Sequence, residues 1–129
     1  MNFASSRWPQ CWAALFGMLA VAMGAYASHG LKHLPADSQS ALATAVQYQF
    51  WHALALLHVA RMPAGRWRLL ALTGFVGGVL CFSGSLYVLT LTPLRPGLVT
   101  PLGGLLLMSG WLGVLLDALH SRQNDRSRQ

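Results

Sequence analysis

The chain has 129 residues, 54% of them hydrophobic and 9% charged, with a formal net charge of +6 and a mean hydropathy of +0.45. A soluble domain carries about 25% charged residues, so this balance argues against a water-soluble globule and for one domain, residues 1–129, in a lipid bilayer. The basic excess would suggest nucleic acid in a soluble chain. Here it sits in short segments between apolar runs, which orients membrane helices, and nucleic acid is not an expected partner.

Residues 1–10 are polar and carry Arg7, and an apolar run from Cys11 to Ser28 follows. Two readings compete for that run. It has the basic lead and short apolar core of a secretory signal, ending in the A-x-A match Ala25-Tyr26-Ala27. It is also just long enough for a retained first span, which needs about 17–25 residues. Ala13, Gly17, Ala20 and Gly24 form a small-residue stripe suited to close helix packing. A cleaved signal has no use for one, so retention is the expectation.

The connection His29 to Ser40 is polar, with Asp37 or Ser38 placed to cap the next helix. The second span covers 41–60 and ends in the basic turn 61–68. The third covers 69–91. Its Gly74, Gly77, Gly78, Cys81, Gly84 and Ser85 make a narrow face with GxxxG spacing at Gly74 and Gly78. Thr92-Pro93 ends it, and Arg95-Pro96-Gly97 turns the chain. Thr100 can cap a fourth span, 99–119, with Pro101 in its first turn. On that span Gly103, Gly110, Gly113 and Asp117 share one side. The tail 121–129 is polar and expected to be disordered.

These elements predict an all-α integral membrane protein, with four transmembrane helices in a compact bundle. Four spans put both termini on one side. Arg7, Arg61, Arg66, Arg68, Arg122, Arg126 and Arg128 fall on that side, against Lys32 and Arg95 on the other. The arginine excess places the N-terminus and C-terminus in the cytoplasm.

The candidate site is a set of polar groups at membrane depth. Tyr48, Gln49 and His52 share one face of the second helix. His52 lies roughly 13 Å from the Arg61 end of a core about 30 Å thick. Ser83, Ser85 and Tyr87 on the third helix, and His29 near the end of the first, fall in the same outer half. So do Tyr26, Ser28 and Thr100. Unpaired polar groups are costly in hydrocarbon. These side chains therefore either bond between helices and set their register, or line a small outward-facing pocket around His52. His29 and His33 have the i, i+4 spacing of a metal pair, but Gly30 and Pro35 oppose a helix there. No Glu is present. No metal site and no cofactor are expected. Cys11 and Cys81 lie at different depths, beyond the reach of a disulfide.

Gly24-Ala-Tyr-Ala-Ser-His-Gly-Leu31, Tyr48–Leu57, Phe82-Ser-Gly-Ser-Leu-Tyr-Val-Leu89 and Thr100-Pro-Leu-Gly-Gly104 occur in this order. On these blocks the chain resembles an uncharacterised bacterial inner-membrane family, domain of unknown function 423 (YgdD/YwdK-like), with small eukaryotic transmembrane relatives. The resemblance covers about residues 11–118. It implies a multi-pass inner-membrane protein of four helices with the first retained, and no established activity. Tyr26-Ala27-Ser28 stands where the family pattern has Phe-Gly-Ala, so a glycine beside His29 is lost.

The function expected is a packed binding or accessory module of a membrane complex, possessing no enzymatic activity. Its partners would be lipid and either copies of itself or a larger membrane-protein complex. The alternative is a small oligomeric transporter or channel using His52. An enzyme would need a nucleophile, a base and an orienting group in mutual reach. Ser83 or Ser85 near His52 imitates a pair, but no carboxylate lies at that depth.

Overall fold

A computed structural model describes residues 7–126, with side chains through residue 123. The described chain is all helix and connection: α1 (Trp8–His29), α2 (Ala36–Val59), α3 (Arg66–Leu91) and α4 (Val99–Arg126). Helices α1, α3 and α4 are long and apolar enough to cross a membrane. Helix α2 falls below that mark because Gln47, Gln49, His52 and His58 dilute its apolar residues.

The helix ends obey local chemistry. Pro9 stands in the first turn of α1, where a missing N–H costs nothing. Asp37 and Ser38 do not cap α2. Pro35 holds that position, because the helix begins earlier than the apolar pattern does, and Asp37 lies inside the first turn. The polar connection is instead tied by Gln39, whose Nε2 donates to the carbonyls of Lys32 and Leu34 at 3.0 and 2.7 Å. Thr100 likewise lies inside α4 rather than ahead of it. Gly97 takes φ +60°, a conformation that suits glycine, at the turn between α3 and α4. Helix α4 runs to Arg126, past the expected end near residue 119, since 120–126 contains no Gly or Pro to stop it. The expected disorder of 121–126 is thereby corrected. Residues 127–129 lie outside the described residues.

Each helix packs on the next: α1 on α2, α2 on α3, and α3 most extensively on α4. The two central helices thus share the core, which includes Phe16, Leu56, Val59, Phe75, Val79 and Leu107. The outer surface is greasy. Met18, Val21, Leu105 and Met108 are each more than 60% exposed, a surface that water would not tolerate and hydrocarbon would.

Glycine decides how closely α3 and α4 approach. A Cβ on Gly74 would lie 2.6 Å from the Gly110 backbone nitrogen, and one on Gly113 would lie 2.8 Å from that of Ala71. A Cβ on Gly103 would strike the Phe82 backbone, and one on Gly110 the Phe75 ring. Backbone meets backbone along this seam. The third-helix face is narrower than its sequence spacing indicates. Gly84 has open space beside it, and Gly77 meets only the Leu106 side chain at ordinary contact distance. Along α1 the stripe is also partial. Ala13 and Ala20 are buried, but nothing lies near a Cβ on Gly17.

Gly74→Val and Gly110→Val are expected to lower the thermal midpoint in detergent, with an overpacking cost of about 1–3 kcal/mol. Gly84→Ala should not lower it, since a Cβ there meets open space and Ala is the better helix former. Equal midpoints for all three variants would show that the seam does not hold the pair.

Candidate functional site

The polar side chains of the middle helices are turned inward and bonded across helix boundaries. Gln49, 4% exposed, uses both ends of its amide. Its Nε2 donates to the carbonyl of Phe16 on α1 at 2.9 Å, and its Oε1 accepts from the Tyr87 hydroxyl on α3 at 2.8 Å. One side chain thereby joins three helices. Ser83, also buried, donates to the Ala45 carbonyl of α2 at 2.7 Å. Ser85 and Thr100 share a hydrogen bond of 2.6 Å between α3 and α4. The Thr100 hydroxyl expected at a cap serves this bond instead.

His52 is 5% exposed and joins α2 to α4. The Trp111 indole N–H donates to its Nε2 at 3.2 Å, and its Nδ1 lies 2.6 Å from the Tyr48 carbonyl. An indole can only donate, so Nε2 must carry a lone pair. A neutral ring then bears its proton on Nδ1, where it donates to Tyr48. A second proton on the imidazole would set an Nε2–H against the indole N–H. Aromatic rings complete the setting: Phe75 lies 5.4 Å from the imidazole and 5.1 Å from Trp111, centroid to centroid. Tyr48 supplies packing, with its ring 4.6 Å from Phe82.

The set expected from the sequence divides. Gln49 and Tyr87 form one link, His52 a second, Ser83 a third and Ser85 a fourth, all between helices. His29 does not join them. It stands exposed at the end of α1, and none of these hydrogen bonds reaches it. Tyr26 and Ser28 are exposed as well, because the α1 contact with the polar set is made half-way along the helix, at Phe16. Trp111 and the carbonyls of Phe16 and Ala45 escaped the sequence reading. Trp111 had a detectable signal, a donor-bearing ring in mid-span rather than at an interface. The Phe16 carbonyl had none, since a backbone acceptor has no letter in the sequence.

Outside the bonded groups, a groove of about 670 Å³ opens between α2 and α4, lined by His52, Trp51, Phe82, Met108 and Trp111 among others. Among the described residues no cluster of three metal-ligating side chains occurs, and Cys11 and Cys81 are free thiols.

Long apolar helices, a lipophilic outer surface and inward, mutually bonded polar groups define a helical integral membrane protein. The model of the family described as protein of unknown function (DUF423) matches residues 23–104. A UPF0382 membrane protein of Haemophilus influenzae is 36% identical over 113 residues, covering 84% of this chain and 91% of that one. A second relative, UPF0382 inner membrane protein YgdD of Escherichia coli, is 34% identical over 130 aligned positions, covering 97% and 99%. A third, from Staphylococcus haemolyticus, is 38% identical over 108 residues, covering 81% and 88%. The chain belongs to the DUF423 (UPF0382) family of membrane proteins. No solved structure matches it significantly.

Tyr87→Phe is expected to cost about 0.6 kcal/mol, the average for an interhelical hydrogen bond in a membrane protein. Gln49→Leu should cost more, since it loses two such bonds. In a double-mutant cycle of unfolding in mixed micelles the two costs should fall short of additivity. Strict additivity would mean that Gln49 and Tyr87 do not act as one link.

Proposed function

We propose that this chain is a four-span inner-membrane protein with both termini cytoplasmic, serving as a non-enzymatic packed module of a larger membrane complex. The observation that carries the reading is that Gln49, His52, Ser83, Ser85 and Tyr87 each make a hydrogen bond to another helix. A protein that works on a solute needs polar groups turned toward that solute. Here they are turned toward helix carbonyls and neighbouring side chains, while broad apolar faces of α1 and α4 are left outside. Internal bonding also supports α2 as a fourth span despite its lower hydropathy, because a satisfied glutamine or histidine is cheaper in hydrocarbon than an open one. Retention of α1 has the same support: Gln49 takes its acceptor from Phe16. The arginine excess at one end supports the orientation, and the name of the Escherichia coli relative supports the inner membrane.

The imitation of a nucleophile–base pair finds no support. Ser83 is committed to Ala45, and both imidazole nitrogens of His52 are committed elsewhere. A second reading, a small oligomeric transporter, rests on one observation: His52 borders the groove between α2 and α4.

Three measurements test the orientation, the role of His52 and the complex in turn. A fluorescent-protein fusion at the C-terminus should light up, and an alkaline phosphatase fusion there should be inactive; the reverse pattern would overturn the orientation. Ring-labelled His52 in lipid nanodiscs should hold one neutral tautomer, protonated at Nδ1, from pH 6 to 8, and proteoliposomes should keep an imposed pH gradient as long as empty vesicles do. A titrating imidazole together with a leak abolished by His52→Gln would replace the module with the transporter. A photo-crosslinking residue at Leu105 or Met108 should give a discrete protein adduct in cells, and adducts to lipid alone would remove the complex.

A further inference from the structure

One member of the polar set is left over by the internal bonding. Tyr48 lines the α2–α4 groove beside Trp51, and their ring centroids are 5.3 Å apart. Among the described residues neither the Tyr48 hydroxyl nor the Trp51 indole N–H makes a hydrogen bond. Trp51 is half exposed and Tyr48 half-buried, so this wall of the groove faces outward.

Depth makes these two donors unusual. Counting from Arg61, Trp51 lies roughly 15 Å and Tyr48 roughly 20 Å into a hydrocarbon core about 30 Å thick. Tryptophan and tyrosine ordinarily sit at the bilayer interface, where one end is apolar and the other wet. At the depth of Tyr48 and Trp51 no water serves as acceptor, and an open donor is costly.

The rest of the groove has a consistent chemistry. Trp111 and His52 border it, but the Trp111 N–H and the His52 Nε2 lone pair are spent on each other. Phe82 and Met108 add an aromatic and a thioether surface, and no charged side chain lines the groove. It therefore offers ring faces and two donors, without charge and without an open acceptor beyond the phenol oxygen itself. Its volume of about 670 Å³ falls within the roughly 300–1,000 Å³ of small-ligand sites. Between Pro101 and Trp111 the fourth helix rises about 15 Å, half the hydrocarbon core. The groove thus runs from the outer end of α4 to the middle of the bilayer, and the exposed Leu105 and Met108 leave it open sideways to lipid.

We infer that the α2–α4 groove binds a prenylated quinone, with the ring among Tyr48, Trp51 and Trp111 and its carbonyl oxygens accepting from the Tyr48 hydroxyl and the Trp51 N–H. Electrostatic complementarity selects the ligand. An uncharged groove of donors matches an uncharged ligand of acceptors, and a quinone carries carbonyls and no donor. Its flat, electron-poor ring also suits the electron-rich indole faces. Phospholipid ester carbonyls are acceptors too, but they stay in the interfacial layer outside the hydrocarbon core, out of reach of Tyr48. A fatty acid or a sterol brings a charge or a donor that the groove does not match. The inference rests on the four-span placement proposed above, which sets the depth of Tyr48, and not on the accessory role.

NMR of the full chain in lipid nanodiscs, labelled with ¹⁵N at the tryptophan indoles and titrated with decylubiquinone, tests it. The Trp51 indole resonance should move in a saturable way. Those of Trp8 and Trp12, which line a separate groove between α1 and α3, should stay in place. Tyr48→Phe should weaken binding roughly fivefold, the worth of one neutral hydrogen bond, and leave the thermal midpoint of the quinone-free protein unchanged. A Cβ on Gly104 meets only the Phe82 ring, at 4.0 Å, so Gly104→Leu can fill the groove and should abolish the Trp51 shift. Equal movement of Trp8 and Trp12, unchanged affinity in Tyr48→Phe, or a persisting shift in Gly104→Leu would overturn the site. An equal shift of Trp51 with dodecane, which has the tail and no acceptor, would overturn the quinone as its occupant. The titration reads a bound small molecule and the fusions read topology, so the quinone site and the four-span placement can fail separately.

Discussion

A polar side chain inside a bilayer has no water to return to, and this constraint organises the molecule. Gln49 shows it most clearly. Each end of its amide finds a partner on a different helix, Phe16 of α1 and Tyr87 of α3. A shift of α2 by a turn along its axis would open both bonds at once. The amide therefore fixes register while the surrounding aliphatic contacts supply bulk attraction. His52 does the same for α4, with Trp111 as donor and Tyr48 as acceptor.

Such bonds need helices that approach closely, and glycine allows the approach. Between α3 and α4 the absence of Cβ atoms at Gly74, Gly103, Gly110 and Gly113 lets backbones touch. There is no hydrophobic driving force between helices in lipid, so dispersion across a close seam must take its place. The seam brings Ser85 to Thr100 and Trp111 to His52. Packing and polar bonding thus depend on each other, as neither would form at a wider spacing.

The fold has two unequal sides. Helices α2 and α3 share the centre, and each pair of helices that skips one neighbour leaves a groove. The α2–α4 groove is bordered by the internally bonded His52. The α1–α3 groove is lined mainly by apolar side chains, Trp8, Trp12, Leu69, Leu72 and Val76 among them. The first is where the chain's own polar chemistry comes nearest the surface.

Four helices, three of them apolar enough to cross a membrane, and the small-residue patterns were legible in the sequence, because length, hydropathy and glycine spacing are local properties. So were Gln49, His52, Ser83, Ser85 and Tyr87 as groups that must find partners. The sequence alone could not say which partners, because two of the decisive acceptors are the carbonyls of Phe16 and Ala45. It also could not rank the glycines, since Gly74 and Gly84 look alike in spacing yet only Gly74 faces a backbone. His29 looked like part of the site by depth and lost its place because α1 meets the polar set at Phe16, half-way along the helix. Local chemistry determined that this chain is helical, apolar and in need of internal hydrogen bonds. Only the packing of helices against one another decided where those bonds go, because an acceptor on another helix is brought near by tertiary geometry and by nothing else.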